Sequence, residues 1–564
     1  MRKWMKLNTL VLACTLALTA CSSGGNSNTP ADTGNAQDPA SDNGFSKGKF
    51  ETPVTMTTVS SVNSTFKFKN GETIENNIHS RWVKERLGID LKYNWVTSDD
   101  QFKTKVRLDM SSGQKMPDII FVTDPQLLTD LVDSGMYKEV SEDFEKYASP
   151  EVKKIYEDPQ LWAQVTKDGR RYGIPQLTVA YNNDPVLWVR EDFLKEKNLP
   201  EPKTLDELEK VMEAMKGTQV GNPPLALSFK DAGMPFVQWR GDTSWVFGAY
   251  GVIPHYWNKW NGEQLEYGSI QPQVKDGLAR LADWYKKGYI SADVGMVEVS
   301  KSDDTYKTNK SGLMAGPYFQ ANSARNFLQR NFPETKTKPL PVPAGPDGKI
   351  GRRYSPVQTG AFLISKDFKN PEAFFLYLNT MYVVGNPPKG HEFEKGWKEG
   401  YDYVTKADGT VSYVEADFPD KLKVNATKYF IGHQPFVDPQ MLFNTLLKFY
   451  NGEKPSTPYE DMMYNNIPVE ERANPKSVME WQAAKIVMDQ KDKAIQNLFL
   501  GGQTETMKSK WEALLKLETE TFLKIVYGKA PIDEFDNFVK SWKSLGGDKI
   551  TEEVNEWYKA SGGK

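Results

Sequence analysis

The sequence predicts an α/β protein with more than one domain, and two patterns and a length carry that reading. Residues 118–122 (DIIFV) form a short apolar run behind Pro117. Such a run suits a strand buried on both faces of a parallel sheet better than an alternating surface strand. Around it, strand and helix patterns alternate at spacings that predict right-handed βαβ units. At 564 residues the chain exceeds one ordinary core, so two or three domain-sized units are expected.

The chain opens on a basic stretch (Arg2, Lys3, Lys6) followed by a largely apolar run over residues 7–20. That run is too short to span a membrane and about right for the apolar core of a signal peptide. It ends Leu18-Thr19-Ala20-Cys21, which resembles a lipobox cut before a cysteine that is then diacylated. Residues 1–20 are therefore expected to be a lipoprotein signal peptide, and Cys21 the lipidation site that holds the protein on a membrane face. Cys14 and Cys21 are the 2 cysteines of the chain. After cleavage no thiol remains to form a disulfide, ligate a metal or act as a nucleophile. From Cys21 to residue 49 the chain is mainly Ser, Gly, Asn, Asp, Ala and Pro, the composition of a flexible tether.

The globular part begins with a β-branched strand at 54–62. A helix is expected over 75–87, closing at Gly88, then an alternating strand over 89–96 and a helix over 102–110. The strand 118–122 stops at Thr123-Asp124-Pro125, which puts Asp124 at its carboxyl end, where open α/β sheets hold ligands. Leu127, Leu128, Leu131 and Val132 share one face of the helix that follows, with Gly135 as its C-cap. Ser149-Pro150 starts another helix. Thr204 to Glu207 reads as a capping box, followed by Leu205, Leu208, Val211, Met212 and Met215 on one face. Val274, Leu278, Leu281, Ala282 and Tyr285 mark a second amphipathic helix. Asn370-Pro371 caps a helix carrying Phe374, Phe375 and Leu378. Residues 404–564 read as mostly helical, although little can be assigned between 383 and 475.

Three motifs occur together: Pro117-Asp118-Ile119-Ile120, the run DSGMYKEV at 133–140, and DGRRYGIP at 168–175. Together they resemble the family 1 extracellular solute-binding proteins of ABC importers, specifically the large LipO-like lipoprotein branch. The resemblance covers nearly all of the mature chain. It implies a two-lobed periplasmic-binding-protein-like fold of type II, each lobe a central sheet flanked by helices, joined by two or three hinge strands. Lobe 1 is expected over 50–175 plus about 360–400. Lobe 2 with the C-terminal helices is expected over 176–355 plus about 405–564. Residues 172–189 match the first hinge crossing, and 355–367 the return strand.

Tryptophan is the informative residue for function. Trp239, Trp245, Trp257 and Trp260 fall close together with Tyr250 and Tyr256 in a glycine-rich stretch. Flat rings beside polar donors suit the C–H faces and hydroxyls of sugars, whereas the bland alternative is that these rings fill a core. Within the same stretch Arg240 and Asp242 offer polar contacts. In the family, a small-residue run ending Gly-Pro-aromatic carries a ring into the sugar cleft. Here that run is GLMAGPYFQ at 312–320, with Tyr318 and Phe319 where several relatives have tryptophan. Asp124 matches a family position whose carboxylate accepts sugar hydroxyls, although an Asx turn before Pro125 explains it equally. Asp118 reads as structural.

Catalytic and metal signals are thin. His79, His255, His391 and His433 show no metal-ligand spacing, and no nucleophile elbow, P-loop or dinucleotide fingerprint is present. A net charge of −3 gives no electrostatic reason to bind nucleic acid. The expectation is a monomeric, cofactor-free, lipid-anchored protein on the extracytoplasmic face of the cell membrane. It captures an oligosaccharide by hinge closure and delivers it to the transmembrane subunits of an ABC permease. The alternatives are a surface-anchored polysaccharide hydrolase or lyase, which needs a catalytic pair the sequence does not display, and a static adhesin, which lacks the usual repeated β-modules.

Overall fold

The computed structural model describes residues 45–46, 48–62, 66–230 and 234–563. The expected signal peptide, Cys21 and residues 22–44 of the tether lie outside the described residues.

The first lobe is built on the strands expected from the sequence. Val54–Ser61 and Ile89–Thr97 pair in parallel, with Val54 opposite Ile89. The helix Ile78–Leu87 joins them, started by the Asn77 side chain accepting the His79 and Ser80 N–H groups. Ile119–Val122 lies beside the first strand through one side chain rather than a backbone ladder. The Thr57 N–H and hydroxyl donate to Asp118 Oδ2 at 2.9 and 2.7 Å, and the Asp118 N–H donates to Thr57 Oγ1 at 2.9 Å. Asp118 is thus structural. On the far side Gln358–Ile364 runs antiparallel between Ile119–Val122 and Ile174–Leu177. The sheet is therefore mixed: Gln358–Ile364 runs against both of its neighbours, whereas Val54–Ser61 and Ile89–Thr97 are parallel. Its order (89–97, 54–61, 119–122, 358–364, 174–177) is the type II arrangement.

The second lobe centres on a four-stranded sheet in the order Leu225–Ala226, Leu313–Gly316, Val186–Arg190, Thr337–Leu340. It is covered on both faces, and the alternation of side chains along each strand shows how. Leu187 and Val189 point into one core with the helices Leu205–Met215, Gln273–Lys287 and Glu505–Val526. Val186 and Trp188 point into the other, with Met441–Tyr450 and Met479–Asp489. On Gln273–Lys287 the buried face is Val274, Leu278, Leu281 and Trp284, while Ala282 and Tyr285 lie at its margin. Thr204 caps its helix by accepting the Glu207 N–H, but Glu207 reaches back to the N–H of Lys203 rather than of Thr204.

Three segments cross between the lobes and are hydrogen-bonded to one another. The Thr178 N–H donates to the Val357 carbonyl at 2.8 Å, and the Ala180 N–H donates to the Pro439 carbonyl at 2.9 Å. The third crossing comes later than the sequence boundaries suggested. Val424, Ala426, Tyr429, Phe430, Ile431 and Phe436 all pack in the first lobe's core, so the chain stays in that lobe until about residue 436. The cause is an aromatic cluster: Trp397 sits 4.9 Å from Trp82, and Phe430 sits 5.2 Å from Trp397 and 4.9 Å from His79. Residues 404–440 are one short strand pair, two single-turn 3-10 helices and loop rather than the expected α-helices, which begin at Met441.

Candidate functional site

In the second lobe the buried strand Leu313–Gly316 delivers Pro317, Tyr318 and Phe319 at its carboxyl end, and the Trp188 indole N–H anchors that end by donating to the Pro317 carbonyl at 3.1 Å. Trp239 comes to the same place from the preceding loop. It is 40% exposed, its ring centroid 6.1 Å from that of Phe319. The Arg240 guanidinium carbon lies 4.6 Å from the Trp239 centroid and 5.4 Å from the Phe319 centroid. It is held there by donating to Asp303 Oδ2 at 2.8 Å, and the other Asp303 oxygen accepts from Gln320 Nε2 at 2.8 Å. Cation–π contact and an ion pair thus fix one flat, partly exposed patch. Gly241 makes the turn possible: at φ 61°, a Cβ there would meet Ser302 Oγ at 2.1 Å.

The patch continues inward as a chain of rings. Phe319 meets Tyr318 at 5.4 Å, Tyr318 meets Phe443 at 5.4 Å, Phe443 meets Tyr181 at 5.6 Å, and Tyr181 meets Tyr354 at 5.6 Å. Tyr181 and Tyr354 belong to the first and second hinge crossings. Burial pushes the Tyr318 and Tyr354 hydroxyls above the usual phenol range, so both stay neutral donors.

Other expected ring contacts lie elsewhere. Trp245 is fully buried, its indole N–H donating to the Asp242 carbonyl at 2.8 Å and its ring 6.1 Å from Trp284. Trp257 is 2% exposed and packs on Tyr267 at 5.1 Å. Both rings fill the second lobe's core and open no face to a ligand. Asp242 is buried as well, pushed above the usual carboxylate range by that burial, and accepts the N–H groups of Gln238 and Ser244.

In the first lobe Asp124 caps the helix Pro125–Asp133 through Oδ1, which accepts the Leu127 N–H at 2.7 Å. Its Oδ2 accepts from Lys103 Nζ at 2.8 Å. Partial burial raises its pKa, but the Lys103 ammonium and the Leu127 N–H outweigh that and hold the carboxyl below its usual range. The Asx-turn reading therefore holds, and the second oxygen of the same carboxylate is engaged by Lys103.

Two cavities run between the lobes. The first, about 600 Å³, is bounded by Trp162 and neighbouring residues of the first lobe, by Tyr354 to Gln358 of the hinge, and by Gln496 to Leu498 with Tyr558 from the C-terminal part. The second, about 570 Å³, joins Lys103, Arg107, Asp124 and Asp130 to Gly501, Gly502, Gln503 and Lys508. Between them a strap over residues 494–503 reaches the first lobe. It pairs with Arg352–Arg353 at one end, and its Gly502 backbone lies so close to the helix Pro125–Asp133 that a Cβ would sit 2.9 Å from the Gln126 Cα. Of the expected site residues, Asp124 lines the second cavity. Trp239, Arg240, Tyr318 and Phe319 line neither, and reach the first only through the ring chain ending at Tyr354. Trp162, Arg171, Gln358 and Tyr558 were not expected. Arg171 stands inside a motif that was noticed, but nothing in its spacing marks it as cavity-lining. Among the described residues, no group of three or more His, Cys, Asp or Glu side chains is arranged to hold a metal ion.

Two lobes, three crossings and a cavity at the hinge describe a protein that closes on a solute, and comparison with known proteins agrees. The chain is 22% identical over 488 residues to the polygalacturonan/rhamnogalacturonan-binding protein YtcQ of Bacillus subtilis, spanning 85% of this chain and 87% of that one. It is 21% identical over 502 residues to lipoprotein LipO of the same organism, spanning 85% and 88%. In fold it is similar to an HMO-binding, ABC-transporter-associated solute-binding protein from Bifidobacterium longum infantis, with a TM-score of 0.60 at 15% identity, covering 91% of this chain and 100% of that one. Residues 67–384 match the family described as bacterial extracellular solute-binding protein, and the chain belongs to that family.

Proposed function

We propose that this protein captures an oligosaccharide between its lobes and hands it, unaltered, to the transmembrane subunits of an ABC importer. The observation that carries the reading is the cavity of about 600 Å³ shared by both lobes and the hinge. Its walls carry partly exposed rings (Tyr354, Tyr558) beside amides (Gln160, Gln358, Asn497), the pairing that sugar faces and hydroxyls need. The names of the relatives support it: YtcQ carries polygalacturonan and rhamnogalacturonan in its name, and the Bifidobacterium protein is described as transporter-associated. Asp124, Trp239, Arg240, Tyr318 and Phe319 extend the contact surface on either side. Cys21, lipidated, anchors the monomer to the outer face of the cell membrane.

Binding and closure are one equilibrium. A sugar that touches both lobes only in the closed state favours that state by its difference in affinity. Small-angle X-ray scattering with and without oligosaccharides tests this. Compaction on addition of sugar is expected, and a sugar that binds without any compaction overturns capture by closure.

A further inference from the structure

The first interlobe cavity holds a cation that the reading above leaves unexplained. Arg171 ends the short hairpin Thr166–Lys167/Arg170–Arg171 and lays its guanidinium on the Trp162 ring, 4.0 Å from the centroid. Both side chains line the cavity. Among the described residues no carboxylate pairs with Arg171 within 4 Å, and no hydrogen bond engages its side chain. The Glu145 carboxylate that acts on it from a distance pairs instead with Lys153 at 3.6 Å. Burial pushes the guanidinium below its usual range, against a smaller opposing pull from the Glu145 carboxylate.

The neighbouring cations behave differently. Arg240 is paired with Asp303, Lys103 with Asp124 and Arg107 with Asp130, at 2.6–2.8 Å. Asp158, the carboxylate on the cavity wall, uses Oδ1 to accept the Gln160 N–H at 2.9 Å and start the turn Pro159–Val165. Arg171 is therefore the cavity-lining cation that no carboxylate pairs among the described residues. Its guanidinium carbon sits over the Trp162 ring, and its N–H groups can serve as a fork for a planar two-oxygen acceptor.

We propose that Arg171, held over the Trp162 ring, reads a carboxylate on the captured saccharide, so that the ligand class is an acidic, uronate-containing oligosaccharide. This rests on the oligosaccharide reading above and narrows it. A half-buried cation without a partner is costly, and a ligand carboxylate relieves that cost while gaining a charge-assisted, bidentate contact. A neutral sugar of the same shape leaves the charge unrelieved, so the same residue discriminates against it.

The test is titration calorimetry of the purified full chain in detergent with trigalacturonate, its methyl ester, and sulfated and neutral galactotriose. The acid is expected to bind roughly 10- to 100-fold more tightly than the ester. Arg171→Gln is expected to lose that margin on the acid and far less on the ester, while Arg171→Lys keeps part of it. Equal losses on acid and ester mark Arg171 as structural and overturn the proposal, as does a wild-type protein that binds both alike. Arg171-dependent binding of the sulfated sugar alone replaces the carboxylate with a sulfate ester and also overturns it. Neutral sugars binding with no preference for acid sinks this proposal and leaves capture standing. A protein that binds no saccharide of any kind sinks both.

Discussion

Arg352 and Asp184 form an ion pair in which neither side chain touches solvent, and the pair ties the second hinge crossing to the first. Arg352 also donates to the Val487 carbonyl at 3.0 Å, and Ser355 N–H donates to Asp184 Oδ1 at 3.3 Å, so three segments meet at one buried charge. The hinge therefore pivots about a fixed polar knot rather than a loose linker. Asp184→Ala leaves the guanidinium buried without a counter-charge, at a cost of roughly 3–5 kcal/mol. A lowered urea midpoint is the readout, and combining Asp184→Leu with Arg352→Met is expected to recover part of the loss. An alanine variant as stable as the parent contradicts the knot.

The exposed and buried tryptophans separate by experiment. Trp239→Ala removes a partly exposed ring and is expected to weaken sugar binding by about 0.5–1.5 kcal/mol while leaving the melting temperature nearly unchanged. Trp245→Ala empties a core site and is expected to cost roughly 3–5 kcal/mol of stability. Reversed outcomes, with Trp239 governing stability, contradict the assignment of these rings.

His79 predicts a pH dependence. It is fully buried among Tyr377, Trp397 and Phe430, with Nδ1 unpartnered among the described residues, and burial lowers its pKa from 6.5 to about 3. Between those values the unfolded chain binds a proton that the folded chain refuses. Stability is thus complete above pH 6.5 and is lost as pH falls, at about 1.4 kcal/mol per unit from this residue. His79→Leu is expected to flatten the slope of unfolding free energy between about pH 6.5 and 5 by that amount. An unchanged slope shows that His79 is protonated in the folded state.

Gly502 predicts an effect on closure alone. Its missing Cβ lets the strap touch the helix Pro125–Asp133, with Thr129 Oγ1 only 3.0 Å from where that atom would lie. Gly502→Val pushes the lobes apart without entering either core. Weaker ligand binding and a larger radius of gyration are expected, with an unaltered unfolding midpoint. Unchanged affinity shows that the strap contact plays no part in closure.

The parts of the fold that local chemistry specifies were legible in the sequence. Ile119–Val122 announces itself by an unbroken apolar run, Thr204 and Ser149 by capping, and the helix Pro371–Gly385 by Pro371 and its phenylalanines. Residues 401–436 were not legible, because they are held by Trp82, His79 and Trp397 from distant positions rather than by a period of their own. The tryptophan cluster drew attention to the right loop, yet composition cannot tell an exposed Trp239 from a buried Trp245 six positions later. The Trp162–Arg171 stack depends on a hairpin, and its cavity on Tyr558 brought in from the far end of the chain. No spacing rule connects those residues.

Capture without chemistry is the central claim, and a thermal-shift screen against plant and microbial oligosaccharides, followed by recovery of the bound sugar, tests it most directly. A ligand at about 100 times its Kd adds roughly 2.7 kcal/mol to the folded state. The account predicts a raised melting temperature with a saccharide that is recovered at its original length. A shortened product, or a screen in which no saccharide shifts the transition, contradicts it.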